Sequence, residues 1–408
     1  MKKTIRMEGN GMKKLFVWVM IVMLAAGMIA AQAQEIEIPE LDIKRRPIPQ
    51  NDAMEFMKKL RIGWNLGNTF DATRDGYQGD DVTIETYWCG VKTTKEMIFA
   101  IRDAGFRCIR MPVSWHNHVQ GEDFTVNPAW MARVKEVVDY AMEAGLYVIL
   151  NTHHDVDKKY YYPSSEYYES SEKYLTSVWR QMAECFKDYD EHLILESMNE
   201  PRLAGTNYEW NFRGSVPECV DAANCINRLN QRFVEVVRAT GGYNAKRYLA
   251  VPCYGASPQN AVTEYFKLPE DTQENRIIVS VHAYTPYNFA LEDGKVNVFP
   301  MSLAHKMEIP AFMNQLYDTF ITNGIPVMLD EFGARDKNNL QDRVYFAAYY
   351  VATASARNIP CCWWDNNGFT GRGELFGLLN RREARIAFPE IAEAMMRYAG
   401  YDTLPEAQ

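Results

Sequence analysis

Two short segments carry the clearest chemistry. LILESMNEPR (residues 193–202) is an apolar run that stops on Asn199-Glu200-Pro201, and IPVMLDEFGAR (325–335) is a second run that stops on Asp330-Glu331-Phe332-Gly333. An apolar run of this length reads as a buried strand, so each strand delivers a glutamate at its C-terminal edge. Two carboxylates facing each other across a cleft are the minimum equipment for cleaving a glycosidic bond: one protonates the leaving oxygen, and the other attacks the sugar or activates water. A lone strand-end glutamate is more often a salt-bridge partner, so the pair needs a fold that brings the two together.

That fold follows from an alternation along the chain. Apolar runs occur at 61–68, 108–115, 147–154, 193–200, 247–254, 276–284, 326–333 and 360–366. Amphipathic stretches lie between most of them: TTKEMIFAIRDAG, WMARVKEVVDYAMEAG, INRLNQRFVEVVRATGG, IPAFMNQLYDTFITNG and, more weakly, SPQNAVTEYF. Strands without internal polar alternation, each followed by a helix, predict an α/β protein with a parallel sheet covered by helices. Eight repeats predict a closed (β/α)8 TIM barrel in a single domain. The open doubly wound rival usually has a Gly-rich first turn, and Asn65-Leu66-Gly67-Asn68 has no GxGxxG. The longest irregular stretches (69–92, 155–172, 201–224 and 285–305) all leave C-terminal strand ends, where barrels build active sites.

The strand ends supply a consistent set of polar and aromatic groups: Arg110, His153, His154, Asn199, Glu200, His282, Tyr284, Glu331, Trp363 and Trp364. His153, His154 and His282 could be drawn as metal ligands. Neighbouring strand residues point to opposite faces, so the expectation is that His153 and His154 cannot share an ion, and that neither metal nor cofactor takes part. Trp88, Trp115, Trp210 and a tyrosine cluster (160–162, 167 and 168) lie on or near the top loops. Of these, Trp88 and Trp210 are the candidate sugar platforms.

The rest of the chain bounds the setting. Its 408 residues are 47% hydrophobic and 24% charged, an ordinary globular composition. Lys13 and Lys14, the apolar run 15–31 and Ala31-Gln32-Ala33 read as a secretory signal peptide over residues 1–34. A leading arm (35–50), a catalytic domain (51–402) and a short tail (403–408) follow. The formal charge of −9 becomes about −13 without the basic leader, which disfavours nucleic acid and anionic membranes but not neutral sugars. The expected location is secreted or periplasmic, with no membrane association after cleavage, and the expected state is monomeric. Most of the eight cysteines lie in apolar runs and read as buried thiols. Cys219 and Cys225 bracket a polar stretch, and a local disulfide between them is the one pairing the spacing suggests.

The ordered set GWNLGNTFD, RCIRMPVSW, NTHHD, ESMNEP, VHAYTP, VMLDEFG and CCWWDNN resembles glycoside hydrolase family 5, the cellulase family, and its endoglucanase/xyloglucanase-like branch, subfamily 4. The likeness covers nearly all of the mature chain, in order. It implies a retaining endo-β-1,4-glucanase acting on cellulose-like glucan, mixed-linkage glucan or xyloglucan. Mannanase and xylanase are rivals on the same fold, and a non-catalytic carbohydrate-binding protein is a rival of another class. It further implies Glu200 as acid/base and Glu331 as nucleophile, with Arg110 and Tyr284 supporting Glu331. Asn199 would meet the sugar 2-OH, and His153 and His282 would orient carboxylates and hydroxyls. Trp364, His154, Trp88, Trp210 and Asn65 would contact substrate. Two further expectations follow: Glu200 should have a raised pKa from apolar surroundings and its charged neighbour, and Trp364-Asp365 should be a non-proline cis peptide.

Overall fold

The computed structural model describes residues 36–294, 296–371 and 373–406; the predicted leader lies outside them. All eight expected strands form: β1 Ile62–Leu66, β2 Cys108–Met111, β3 Tyr147–Asn151, β4 Leu193–Glu196, β5 Leu249–Pro252, β6 Ile277–His282, β7 Val327–Phe332 and β8 Cys361–Asp365. They pair in parallel in chain order, and β1 closes on β8 through the register Ile62↔Cys361 to Leu66↔Asp365. Every residue of these strands is buried, since side chains of one face fill the barrel and those of the other meet the helices. This is the (β/α)8 barrel.

Among the described residues eight longer helices accompany them: α1 Asp52–Leu60, α2 Lys95–Asp103, α3 Pro128–Glu143, α4 Tyr168–Phe186, α5 Pro217–Ala239, α6 Leu303–Thr319, α7 Leu340–Ser355 and α8 Pro389–Tyr398. Local chemistry sets their starts. Asn127 accepts the backbone N–H groups of Ala129 and Trp130, with Pro128 in the first turn, where its missing N–H costs nothing. β5 is followed by no long helix, just the short 3-10 turn Tyr254–Ala256 and the single α-turn Pro258–Ala261. α1 precedes the barrel and closes its floor: Phe56 stacks on Tyr248 at 3.9 Å and meets Tyr147 edge-on at 5.5 Å, both near N-terminal strand ends. The arm and the tail meet each other, Arg45 N–H bonding the Pro405 carbonyl at 2.9 Å. No described helix is long and apolar enough to cross a membrane.

Three expectations change. α6 starts at Leu303, behind Ser302, whose side chain accepts the His305 N–H as a cap, and runs through Pro310, because one proline removes one N–H without ending the helix. α5 begins at Pro217, so the Cys219–Cys225 stretch is helical. Six residues along a helix separate the two by about 9 Å, beyond the reach of a disulfide, and both thiols are free. The Trp364-Asp365 bond is trans; the cis bonds among the described residues are Thr285-Pro286 and Phe299-Pro300. Leu66↔Asp365 pairing carries the extended β8 ladder through that link.

Candidate active site

The top of the barrel opens into a cleft of about 970 Å³. Ten of the twelve predicted residues line it: Trp88, His153, His154, Asn199, Glu200, Trp210, His282, Tyr284, Glu331 and Trp364. The other two, Arg110 and Asn65, are fully buried beneath it. Asn65 therefore does not contact substrate. Its Oδ1 accepts from Arg110 Nη1 at 3.0 Å, and its Nδ2 donates to the Asp330 carbonyl at 2.8 Å. Asn68, three residues on, lines the cleft instead.

Arg110 organises the floor. Nη1 donates to Glu331 Oε1 at 2.6 Å, and Nη2 donates to Asn199 Oδ1 at 2.7 Å. Nε and Nη2 grip Glu196 at 2.8 and 2.9 Å. Burial opposes its charge, but the charges of Glu196 and then Glu331 outweigh that and hold it firmly protonated. Asn199 spends its oxygen on Arg110, which leaves its amide N–H groups for the cleft. Tyr284 donates to Glu331 Oε2 at 2.9 Å, and burial and then the Glu331 charge push the phenol well up, so it stays a donor.

A register shift in β6 between Val281 and His282 sets His282 beside Glu331, the kind of irregularity that re-aims a side chain. Its Nδ1 lies 2.8 Å from Glu200 Oε1 and 3.6 Å from Glu331 Oε2. Burial alone would lower its pKa, but Glu331's charge and Glu200's hydrogen bond and charge outweigh it and hold His282 at about 9. Glu200 is correspondingly lowered rather than raised. Burial pushes it up, but the bond to His282, its charge and that of Arg202 win. The expectation of a raised Glu200 pKa fails because its nearest neighbour is a histidine cation rather than apolar surface.

His153 and His154 both lie beyond the last residue of β3 and both line the cleft, so strand alternation does not separate them. With Asp71 they bring ligand-type atoms within 4.8 Å of one another. Hydrogen bonding argues against a metal there. Asn151 Oδ1 takes the Val113 N–H at 3.1 Å, which turns its Nδ2 toward His153 Nδ1 at 3.2 Å. Nδ1 is then the acceptor, so in the neutral ring Nε2 carries the hydrogen and has no lone pair for an ion. Burial pushes His153 well below the usual imidazole range, which keeps the ring neutral. Trp364 lies parallel to it at 6.0 Å. Trp363 points the other way, edge-on to Phe332 at 5.4 Å. Trp115 is fully buried.

Several groups escaped the sequence reading. Arg202 covers the Trp210 ring at 4.1 Å and bonds Glu209 at 3.1 Å. Glu374 and Asn68, together with the expected Trp88, line both the cleft and an adjoining cavity of about 710 Å³ bordered by Asn366, Asn367 and Thr370. Glu196 lies inside the apolar run 193–200, and a carboxylate within such a run is itself a signal that a buried partner exists.

Comparison with known proteins agrees with this geometry. Residues 71–370 match the model of Cellulase (glycosyl hydrolase family 5). The chain is 41% identical to Endoglucanase B of Neocallimastix patriciarum over 350 residues, 85% of this chain and 72% of that one. A glycoside hydrolase 5 lichenase from Caldicellulosiruptor sp. F32, solved with cellotetraose, is 54% identical with a TM-score of 0.88, covering 90% of this chain and all of the other. A broad-specificity GH5-4 endoglucanase from Ruminococcus champanellensis with bound cellotriose is 41% identical with a TM-score of 0.80, covering 86% and 100%. The chain belongs to glycoside hydrolase family 5, the cellulase family, and within it to subfamily 4.

Proposed function

We propose that the chain is an exported, monomeric, retaining endo-β-1,4-glucanase in which Glu331 is the nucleophile and Glu200 the acid/base. One observation carries the retaining mechanism; the roles rest on Arg110 and Tyr284 holding Glu331 and on His282 sharing a proton with Glu200. An oxygen of Glu200, an oxygen of Glu331 and a ring nitrogen of His282 lie within 4.8 Å of one another. Carboxyl groups about 5–5.5 Å apart suit direct attack on the sugar, whereas inverting enzymes need roughly 6.5–9.5 Å to admit a water.

In the first step a Glu331 oxygen attacks the anomeric carbon. The glycosidic C–O bond breaks, and the leaving oxygen takes a proton from Glu200. That proton comes from the one shared with His282 Nδ1. In the second step Glu200 removes a proton from water, the water oxygen attacks the same carbon, and Glu331 leaves as carboxylate. Asn199 offers its amide to the sugar 2-OH, and Trp364 floors the ring at the point of cleavage. Glu200 protonates the leaving group, so Arg202 and Trp210 beside it flank the leaving-group half of the glucan. Trp88 and the adjoining cavity take the other half. The substrates proposed are cellulosic, mixed-linkage and xyloglucan backbones, in keeping with relatives described as a lichenase, broad-specificity endoglucanases and a xyloglucan-specific endo-β-1,4-glucanase. The leader-like segment supports export, and a cleft completed by one chain supports a monomer.

The test is parallel hydrolysis of carboxymethylcellulose, barley glucan, xyloglucan, glucomannan and xylan, with the first-formed anomer followed by NMR. The expected result is endo-cleavage of glucans with initial β-anomer and loss of turnover in Glu331→Gln. Initial α-anomer, activity confined to mannan or xylan, or an active Glu331→Gln would overturn it.

A further inference from the structure

Arg110 has five N–H donors in a fixed planar fork, and all five are taken. Nε and one Nη2 hydrogen go to Glu196, the other Nη2 hydrogen to Asn199, and the Nη1 pair to Glu331 and Asn65. The strongest arrangement open to a guanidinium is the two-bond edge-on pairing with a carboxylate. Arg110 gives that edge to Glu196, which touches neither cleft nor solvent, and only a corner to Glu331. Glu196 is itself pinned: it leaves the end of β4, and Ser280 Oγ on β6 donates to its Oε1 at 3.2 Å.

We propose that Glu196 is a positioning residue for the nucleophile: by occupying the paired edge of Arg110 it limits Glu331 to one guanidinium bond. The inference rests on the glucanase reading above. The physical logic is a balance. Attack on the sugar converts Glu331 from an anion to an ester, so each charge-assisted bond that favours the anion opposes that step. Departure of Glu331 in the second step gains from the same bonds. A single Arg110 bond plus the Tyr284 hydroxyl serves both directions. Removing the Glu196 charge frees the Arg110 edge and concentrates its charge on Glu331. The other ionisable groups facing this fork are Asp330 and His282. Asp330 is raised to about 7 by burial and then by the Glu196 charge, so it partly takes over the lost charge without reproducing the two-bond geometry.

The test compares wild type, Glu196→Gln, Glu196→Asp and Ser280→Ala on an aryl β-cellobioside. Functional sites are counted by the phenol burst from an aryl 2-deoxy-2-fluoro-β-cellobioside, which traps the covalent intermediate. For Glu196→Gln, kcat per trapped site is expected to fall ~100-fold with KM within ~3-fold. Glu196→Asp keeps the charge but loses the reach, and should fall ~10-fold in kcat alone. Ser280→Ala should stay within ~3-fold. Normal turnover per trapped site, with fewer sites or a lower melting temperature only, would reduce Glu196 to a structural group and overturn the proposal. So would equal losses through KM. Should Glu196→Gln fail to fold, Glu196→Asp decides by the same split. A wild type that neither turns over nor traps the reagent removes the glucanase reading, and this inference with it. An active wild type with a normal Glu196→Gln removes the inference alone.

Discussion

Replacing His282 by glutamine removes the cation that stands between the two glutamates while keeping a hydrogen-bond donor at that place. His282 is buried, and its pKa rises from 6.5 to about 9. At about 1.4 kcal/mol per unit, a rise of that size is worth roughly 3 kcal/mol of preferential protonation in the folded state. A raised histidine contributes stability that is complete below about pH 6.5 and is lost as pH climbs through about 9. Glu200 has the opposite sign. Its pKa is lowered, so its contribution is present above the ordinary carboxylate range and fades as pH falls through it.

The assay is thermal unfolding of wild type and His282→Gln between pH 6 and 9. The advantage of the wild type should shrink by roughly 3 kcal/mol over that window, a few degrees in Tm for a chain of this size. Asp330 also titrates there, at about 7, and the His282 charge is among the groups that lower it, so the comparison is made in an Asp330→Asn background. The same variant should move the alkaline limb of kcat/KM. In the wild type that limb reports loss of the proton shared by His282 and Glu200, a property of the pair rather than of either residue. In the variant it reports Glu200 alone and should lie at lower pH. Parallel melting curves together with an unmoved alkaline limb would show that His282 does not carry the proton assigned to it.

Two further outcomes follow from the cleft walls. A Cβ on Gly67 would lie 2.8 Å from the Trp364 ring and 2.9 Å from the Asp365 carbonyl. Gly67→Ala should therefore displace the ring, costing ~1–3 kcal/mol of stability and lowering kcat/KM; an unchanged tryptophan emission spectrum with normal kinetics would contradict the placement of Trp364. Trp210 is 65% exposed and Trp88 41%; truncating either to alanine should cost about 1 kcal/mol of sugar stacking, seen as a ~5-fold rise in KM for cellopentaose. For an aryl cellobioside, which leaves nothing but phenol on the Trp210 side, only Trp88→Ala should raise KM.

Much of the fold was legible because the barrel repeats one signal eight times. Each strand run contains its observed strand, and the ends of those runs named eight of the cleft residues, with Trp88 and Trp210 coming from the loops. What stayed hidden depends on neighbours far away in sequence. α4 and α7 went unpredicted: α4 buries one face behind the polar opening 169–173, and α7 buries every residue from Phe346 to Ser355, so it lacks the one-sided stripe that marks a surface helix. The polar spacing of Cys219 and Cys225 suggested a loop, whereas Pro217 and Glu218 open a helix there. Asn65 and Arg110 look alike on a strand map, as polar groups near C-terminal ends, yet both stop one layer below the cleft. Strand periodicity gives the face of a side chain, not its depth along the barrel axis.

The misjudged Glu200 pKa has the most consequence for chemistry. Two opposed carboxylates suggest that one must be forced to hold a proton by desolvation and repulsion. Here a third group stands between them. Glu200 and His282 share a 2.8 Å contact, and with Arg110 and Tyr284 occupying Glu331, the one mobile proton belongs to that contact. As a sugar enters and excludes water, the charge-separated form of a neighbouring acid–base pair loses solvation and the neutral form gains. On the roles proposed above, substrate binding therefore drives the proton from Nδ1 toward Oε1, where the glycosidic oxygen can take it. A glutamate with a low pKa in the empty cleft becomes an acid in the filled one. In the proposed mechanism, glycosyl transfer to Glu331 then removes the second negative charge, and Glu200 returns to the carboxylate that the water step requires.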